Sequence, residues 1–314
     1  MRVRLSMAVV LAGALTLVAA ASQNPFVGNW NLRGTGEHAD RVYWLEVKQE
    51  NGQLAARFLN RGGSPVPVRA VALEGDTLVF TAASGTARDF RVRRDGGRLA
   101  GTAVEGGRRG RSATTVNLVG ERPPTWPETN ANGAHTFGTP VVLFDGKSMD
   151  TFGVQHADRD LGWRIEEGLM ANQRRANNLV SKATFTDFRI EAEYKVADES
   201  NSGIYLRGRY ELQVLDDAGD DASIHGHMAI YGRTPPRVNA SKGPGEWQTM
   251  QATIVGNRVT VVLNGQTVHD NEVIGGITGG ALDTNELEPG PIMIQGDHNE
   301  VWFRKIVVTP IVKP

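Results

Sequence analysis

Glu211 and Gln213 stand two residues apart in the run Tyr210-Glu211-Leu212-Gln213-Val214-Leu215-Asp216-Asp217. In a strand both point to one side, and Leu212 and Val214 point to the other. A carboxylate beside an amide can take a proton and hold a hydroxyl, which is acid–base chemistry suited to a polyol. Asp216 offers a second carboxylate where the run ends. Arg207 and Arg209 precede it. They could stabilise an oxyanion or bind a carboxylate, or pair across strands with Glu191 or Glu193.

Other polar groups fall into similar patterns. Along 188–196, Phe188, Ile190, Ala192, Tyr194 and Val196 share one face, and Arg189, Glu191, Glu193 and Lys195 share the other. If the apolar faces of this strand and of 209–216 meet in one core, their polar faces line one surface. A concave polar surface suits a sugar, and Glu193 is a sugar-binding candidate on it. Glu191 and Lys195 read as solvated charges. His225 and His227 flank Gly226; two histidines are too few to define a zinc site, and His227 reads as a substrate-facing group. His298 lies with Asp297 and Glu300 in a polar loop before a strand, a place where catalytic groups sit. His135, His156 and His269 read as isolated, on surface loops. Trp163 and Trp247 can stack on a sugar ring or fill a core; Trp247 is the sugar-binding candidate. No cofactor is firmly implied, no residue is assigned to a metal, and the reading leaves room for a divalent cation.

These residues must be positioned by strands. Most of the chain alternates with period two, and no amphipathic helix of useful length stands out. The expected class is all-β. Strands are expected at 41–49, 53–59, 76–82, 87–94, 98–105 and 113–121, with turns at Asn51-Gly52 and Asp95-Gly96-Gly97. Residues 24–121 therefore form a small antiparallel β domain, a barrel or a sandwich. Residues 122–139, with Pro123, Pro124, Pro127, Gly133 and Gly138, read as a linker. From residue 140 to 314 a second β region follows, with strands expected at 188–197, 202–216, 246–257, 258–271 and 299–310. Two packed sheets in a jelly-roll-like sandwich fit that pattern.

Residues 1–22 read as a signal peptide: Arg2 and Arg4, an apolar run from Met7 to Ala21, then small residues to Ser22. A secreted or periplasmic protein is expected. The chain has no cysteine, so export brings no disulfide. Its net charge of −1 carries no basic excess, and nucleic acid is not an expected partner. After the leader no apolar stretch is long enough to cross a membrane. No G-x-S-x-G elbow, Walker loop or dinucleotide fingerprint is present.

Five segments occur in order: VLFDGKSMDTF, NNLVSKATFTDFRIEAEYKV, NSGIYLRGRYELQVLD, GEWQTMQATIVGNRVTVVLNGQ and IMIQGDHNEVWFRKIVV. The series resembles the 3-keto-disaccharide hydrolase family over nearly all of residues 140–312. The resemblance implies a concanavalin A-like lectin/glucanase sandwich and cleavage of glycosides already oxidised at C3. Under it Glu211 is the base, Arg207, His298 or a metal holds the enolate, and Gln213 binds a hydroxyl. The spacing of Glu211, Gln213 and Asp216 is also similar to the E-x-D-x-x-E strand of laminarinase-like glucanases. A regular strand puts Asp216 on the face opposite Glu211, and a β-bulge would bring it round. Two other readings stay open: direct hydrolysis by Glu211 and Asp216, and a carbohydrate-binding module without catalysis.

Overall fold

Alternating side chains and tight turns build the first half of the chain into one rolled sheet. The computed structural model describes residues 24–85, 87–106, 112–296 and 298–313; the leader and Asp297 lie outside them. The strands are β1 (Gly28–Gly34), β2 (Val42–Glu50), β3 (Gln53–Asn60), β4 (Val66–Pro67) and β5 (Ala70–Glu74). They continue with β6 (Thr77–Thr81), β7 (Ala87–Asp95), β8 (Arg98–Gly106) and β9 (Ala113–Glu121). Their order is β4-β3-β2-β1-β9-β8-β7-β6-β5. Asn51 and Gly52 both take left-handed φ, 52° and 79°, in the two-residue turn between Glu50 and Gln53. Such a turn matches the twist of the strands it joins. Because β1 pairs with both β2 and β9, the meander curls back on itself. Val68 N donates to Ala56 O and Arg69 N to Thr81 O, which bridges the remaining seam. The barrel is filled, not hollow: Phe80 and Phe90 stack at 4.6 Å, and Phe58 meets them edge-on at 5.0 and 4.5 Å.

The second half is a two-sheet sandwich. Its first strands are β10 (Thr136–Phe137), β11 (Val141–Phe144), β12 (Phe152–Val154), β13 (Trp163–Glu166) and β14 (Leu169–Asn172). Next come β15 (Leu179–Phe185), β16 (Phe188–Val196), β17 (Asn201–Leu206), β18 (Tyr210–Leu215) and β19 (Gln248–Val255). The last are β20 (Arg258–Leu263), β21 (Gln266–Val273), β22 (Gly290–Ile294) and β23 (Val301–Lys313). The larger sheet runs β13-β14-β23-β16-β19-β20-β21, with β10 and β11 also on β23; the smaller runs β12-β15-β22-β17-β18. Ile190, Tyr194, Leu212, Val214, Ile294 and Phe303 fill the space between them. The apolar faces of β16 and β18 thus meet in one core, as their alternation requires.

The run 202–216 is not one strand. Arg207 (φ 53°) and Gly208 (φ 66°) turn the chain, and β17 and β18 pair as a hairpin. The outer edge of β18 is covered by segment 228–231, where Met228 N donates to Gln213 O, Gln213 N to Ala229 O and Tyr231 N to Glu211 O. An uncovered edge would offer its unpaired amides to other chains.

Residues 122–139 lie strapped to the sandwich. Thr129 donates to Val255 O (3.0 Å), Ala131 N to Asn271 Oδ1 (2.8 Å), and β10 joins β23. Barrel and sandwich also touch directly. Val42, Trp44 and Leu59 belong to the sandwich's own core cluster. Glu286, only 3% exposed, accepts from Asn31 Nδ2 of the barrel (2.6 Å) and from the Tyr210 hydroxyl (2.8 Å). Arg233 lies 4.2 Å from the Trp44 ring centre, and burial pulls its pKa down to about 10. Glu286→Ala should therefore cost about 1–3 kcal/mol, because it strands buried donors on both sides of the interface. Thermal or urea unfolding reads this, and an unchanged midpoint would remove Glu286 as a clamp.

Candidate active site

A cleft of about 560 Å3 opens where the barrel meets β17 and β18. That size lies within the ~300–1,000 Å3 typical of small-molecule sites. From the sandwich it is lined by Glu211, Gln213, Tyr205, Tyr231, Gln295 and His298, among others. The barrel contributes Asp40, Asn60, Arg61, Gly62 and Gly63.

Glu211 sits on the strand next to Gly203 of β17, and its carboxylate lies over that glycine. A Cβ at Gly203 would collide with Glu211 Oε1 and stand 3.0 Å from Tyr205 Cε2. The missing side chain is therefore the space the carboxylate uses. Glu211 N donates to Thr278 Oγ1 (2.8 Å), and Tyr205 donates to Gly279 O (2.9 Å). These bonds tie both residues to the 278–280 loop. Glu211 and Gln213 are each 3% exposed. The surface expected to be an open polar face is thus the floor of an interdomain cleft. Gln295 Oε1 is buried with no hydrogen-bond partner among the described residues, so it is an acceptor open to a sugar hydroxyl.

The structure brings together only some of the expected site residues. Glu211, Gln213 and His298 line the cleft. Asp216 does not: β17 and β18 pair in regular register to Leu215, no bulge turns Asp216 round, and its carboxylate accepts from Glu199 N (3.0 Å). Arg207 donates to Thr186 O, Gly256 O and Asp187, and Arg209 forks onto Asp283 (2.6 and 3.2 Å) and donates to Glu288 O. Both arginines are structural, and neither pairs with Glu191 or Glu193. Those glutamates pair with Lys305 and Arg304 on the outer face of the larger sheet. Trp247 is there too, under Arg304 at 4.2 Å, so Glu193 and Trp247 lie away from the cleft. Trp163 fills the core and donates to Asn177 O (2.7 Å).

The histidines also separate. His225 reaches Ser64 of the barrel (2.6 Å), whereas His227 is buried in the core. His227 Nδ1 meets Leu215 O at 2.5 Å, so Nε2 is left to accept from the Tyr194 hydroxyl at 2.7 Å. Both contacts suit a neutral ring, and burial lowers its pKa. His269 is buried on β21 rather than on a surface loop, with Nε2 2.8 Å from Met228 O, and burial lowers its pKa as well. His156, read as a bystander, is half-buried on the cleft's rim. His135 stays in the strap, near Ala131 O (3.2 Å).

Sequence reasoning missed Tyr205, Tyr231, Gln155, Asn178, Gln295 and the barrel's Arg61. Gly203 was the one local signal, since an unbranched gap inside an apolar strand often marks a close approach.

The arrangement is a sandwich of two antiparallel sheets, and the cleft sits on the smaller one. Residues 139–309 match the 3-keto-alpha-glucoside-1,2-lyase-like domain, and the chain belongs to that family. Among solved structures the chain is similar to a glycosyl hydrolase candidate from Parabacteroides distasonis ATCC 8503, at 26% identity over 60% of this chain and 92% of that one, with a TM-score of 0.48. A second candidate from the same organism matches at 18% identity over 55% and 94%, with a TM-score of 0.47. SCLam, a non-specific endo-beta-1,3(4)-glucanase of family GH16, matches at 11% identity over 60% and 94%, with a TM-score of 0.35. No curated protein matches.

Two outcomes follow from this geometry. Gly203→Ala should push the Glu211 carboxylate aside and destabilise the fold by about 1–3 kcal/mol; a wild-type melting point would show that the carboxylate has slack. Burial lowers the folded pKa of His227 and His269, so the unfolded chain binds protons first as pH falls below about 6.5. Stability is fully present above that pH and declines below it. Melting points from pH 7.5 to 5.5 should fall, and His269→Gln should flatten the slope; an equal slope in the variant would exclude His269 as a contributor.

Proposed function

We propose that this chain is an exported enzyme that cleaves the glycosidic bond of 3-keto-glycosides by elimination, with Glu211 as the base. The observation that carries the reading is the Glu211 carboxylate, held over Gly203 on the cleft floor without a second carboxylate from its own strand. Among the described residues, the other carboxylate on the lining is Asp40, which is paired with Arg41 and Arg61. The lyase-like family match supports the same chemistry.

A ketone at C3 acidifies the C2 proton. Glu211 takes that proton, the electron pair forms the C1=C2 bond, and the C1–O bond breaks as the departing oxygen gains a proton. The enone then adds water, with hydroxide at C1 and a proton at C2, so the net change is hydrolysis. Groups that donate to the C3 oxygen stabilise the enolate-like charge. His298 is the nearest counterpart to that role on the lining, because Arg207 is committed elsewhere. Gln213 and Gln295, both on the lining, would hold hydroxyls.

Matched pairs test the reading: a disaccharide or aryl glucoside assayed before and after oxidation at C3. The keto member should turn over and the parent should not, with the difference in kcat. Glu211→Gln should lose ~10²–10⁴-fold. In D2O the product should carry deuterium at C2. Equal rates on both members would favour direct hydrolysis, and binding of both with turnover of neither would make the chain a carbohydrate-binding module. Export predicts a mature N-terminus after residue 22, which mass spectrometry of the secreted protein reads.

A further inference from the structure

The family match begins at residue 139, yet a whole wall of the cleft comes from the barrel. Segment 61–64 is seated there by backbone contact. Gly280 N donates to Arg61 O at 2.7 Å. A Cβ on Gly279 would collide with Gly63 O, and a Cβ on Gly232 would collide with Ser64 Oγ. No side chain on the sandwich separates the two units at these points. Ser64 Oγ lies 2.6 Å from His225 Nε2, and it is close enough to the Tyr231 phenol to act on it, lowering its pKa. The His225 and Tyr231 rings are 5.3 Å apart. Tyr231 N donates to Glu211 O at 3.1 Å, so the phenol's backbone is fixed to the strand of the base. Tyr231 and Glu211 both line the cleft, and His225 behind Ser64 is exposed to solvent.

We propose that the barrel completes the catalytic apparatus: Tyr231 protonates the departing glycosidic oxygen, and Ser64 is the barrel's positioning residue for it. The proposal rests on the elimination reading given above. As the C1–O bond breaks, the oxygen takes the Tyr231 proton. The phenolate regains one from Ser64, and Ser64 regains one from His225 Nε2, while His225 Nδ1 takes a proton from solvent, to which Glu211 returns the proton it gained from C2. Burial and the adjacent Glu211 charge both raise the Tyr231 pKa, so the phenol keeps its proton until the oxygen needs it.

Leaving-group dependence tests this role. A 3-keto-glucoside with a methyl aglycone needs an acid, and one with a p-nitrophenyl aglycone leaves unaided. Tyr231→Phe should lower kcat ~10²-fold or more on the first and only a few-fold on the second. Ser64→Ala should show a smaller loss with the same aglycone pattern, and no added loss in the Tyr231→Phe background. Equal losses on both aglycones, or an undiminished Ser64 effect in that background, would overturn the proposal while the elimination reading stands. A wild-type protein that turned over neither keto substrate would overturn both. Should Ser64→Ala not fold, the aglycone ratio of Tyr231→Phe decides alone.

Discussion

A buried carboxylate, Glu286, holds the two halves of this protein in one geometry. An ionised group this enclosed costs several kcal/mol unless it is hydrogen-bonded and near positive charge. Asn31 of the barrel and Tyr210 of the sandwich supply the bonds, and the buried Arg233 supplies charge nearby. Satisfying Glu286 therefore requires both units to be in place at once. Tyr210 is the immediate neighbour of Glu211, so the same clamp fixes the height of the carboxylate beneath the barrel wall. Trp44, with Arg233 over its ring and its edge in the sandwich core, adds apolar area to the same joint.

The turn between β17 and β18 shows how the site keeps its charge in order. Arg207 and Arg209 flank Gly208, and both are almost fully buried. Left unpaired, two buried guanidinium charges would destabilise the turn. Instead each meets an aspartate distant in sequence, Asp187 or Asp283, and several carbonyl oxygens. The arginines thereby fasten the hairpin to the 186–187 and 283–288 segments. Glu211 lies over Gly203, and its backbone N–H is bound to Thr278 Oγ1.

Strands and turns were legible because their signals are local. Alternation marks β2, β3, β7, β8, β9 and β16 within a residue or two, and Asn51-Gly52 turns where its φ preferences require. The short strands β4, β12 and β13 carry too few residues for a period to show. Alternation also ran unbroken through Arg207-Gly208-Arg209, which hid a hairpin inside one apparent strand. Glu211 and Gln213 could be found from their shared face alone. Arg207, Arg209, His227 and Asp216 could not be excluded, because their partners are up to 79 residues away or depend on the absence of a bulge. His269 looked isolated for the same reason: Met228 O lies 41 positions off.

The barrel's share of the cleft was hidden for a stronger physical reason. Segment 60–64 has no motif; its meaning comes from where it lands. It can land on Gly232 and Gly279 only because neither carries a Cβ, and those glycines read in sequence as ordinary loop residues. Without the barrel, the Glu211 face of the smaller sheet would lie open to water along that side. A carboxylate in water is a weak base for carbon, since hydration stabilises its charge before the proton moves. Covering that face with a second rigid unit removes solvent and adds polar groups at the same time. The loop that carries Arg61, Gly62 and Gly63 is short and runs between β3 and β4, and its bond from Gly280 N fixes it to the sandwich. Arg61 and Gly62 line the same cleft as Glu211, so the shape of the barrel segment, and not only the sandwich, bounds the space above the carboxylate.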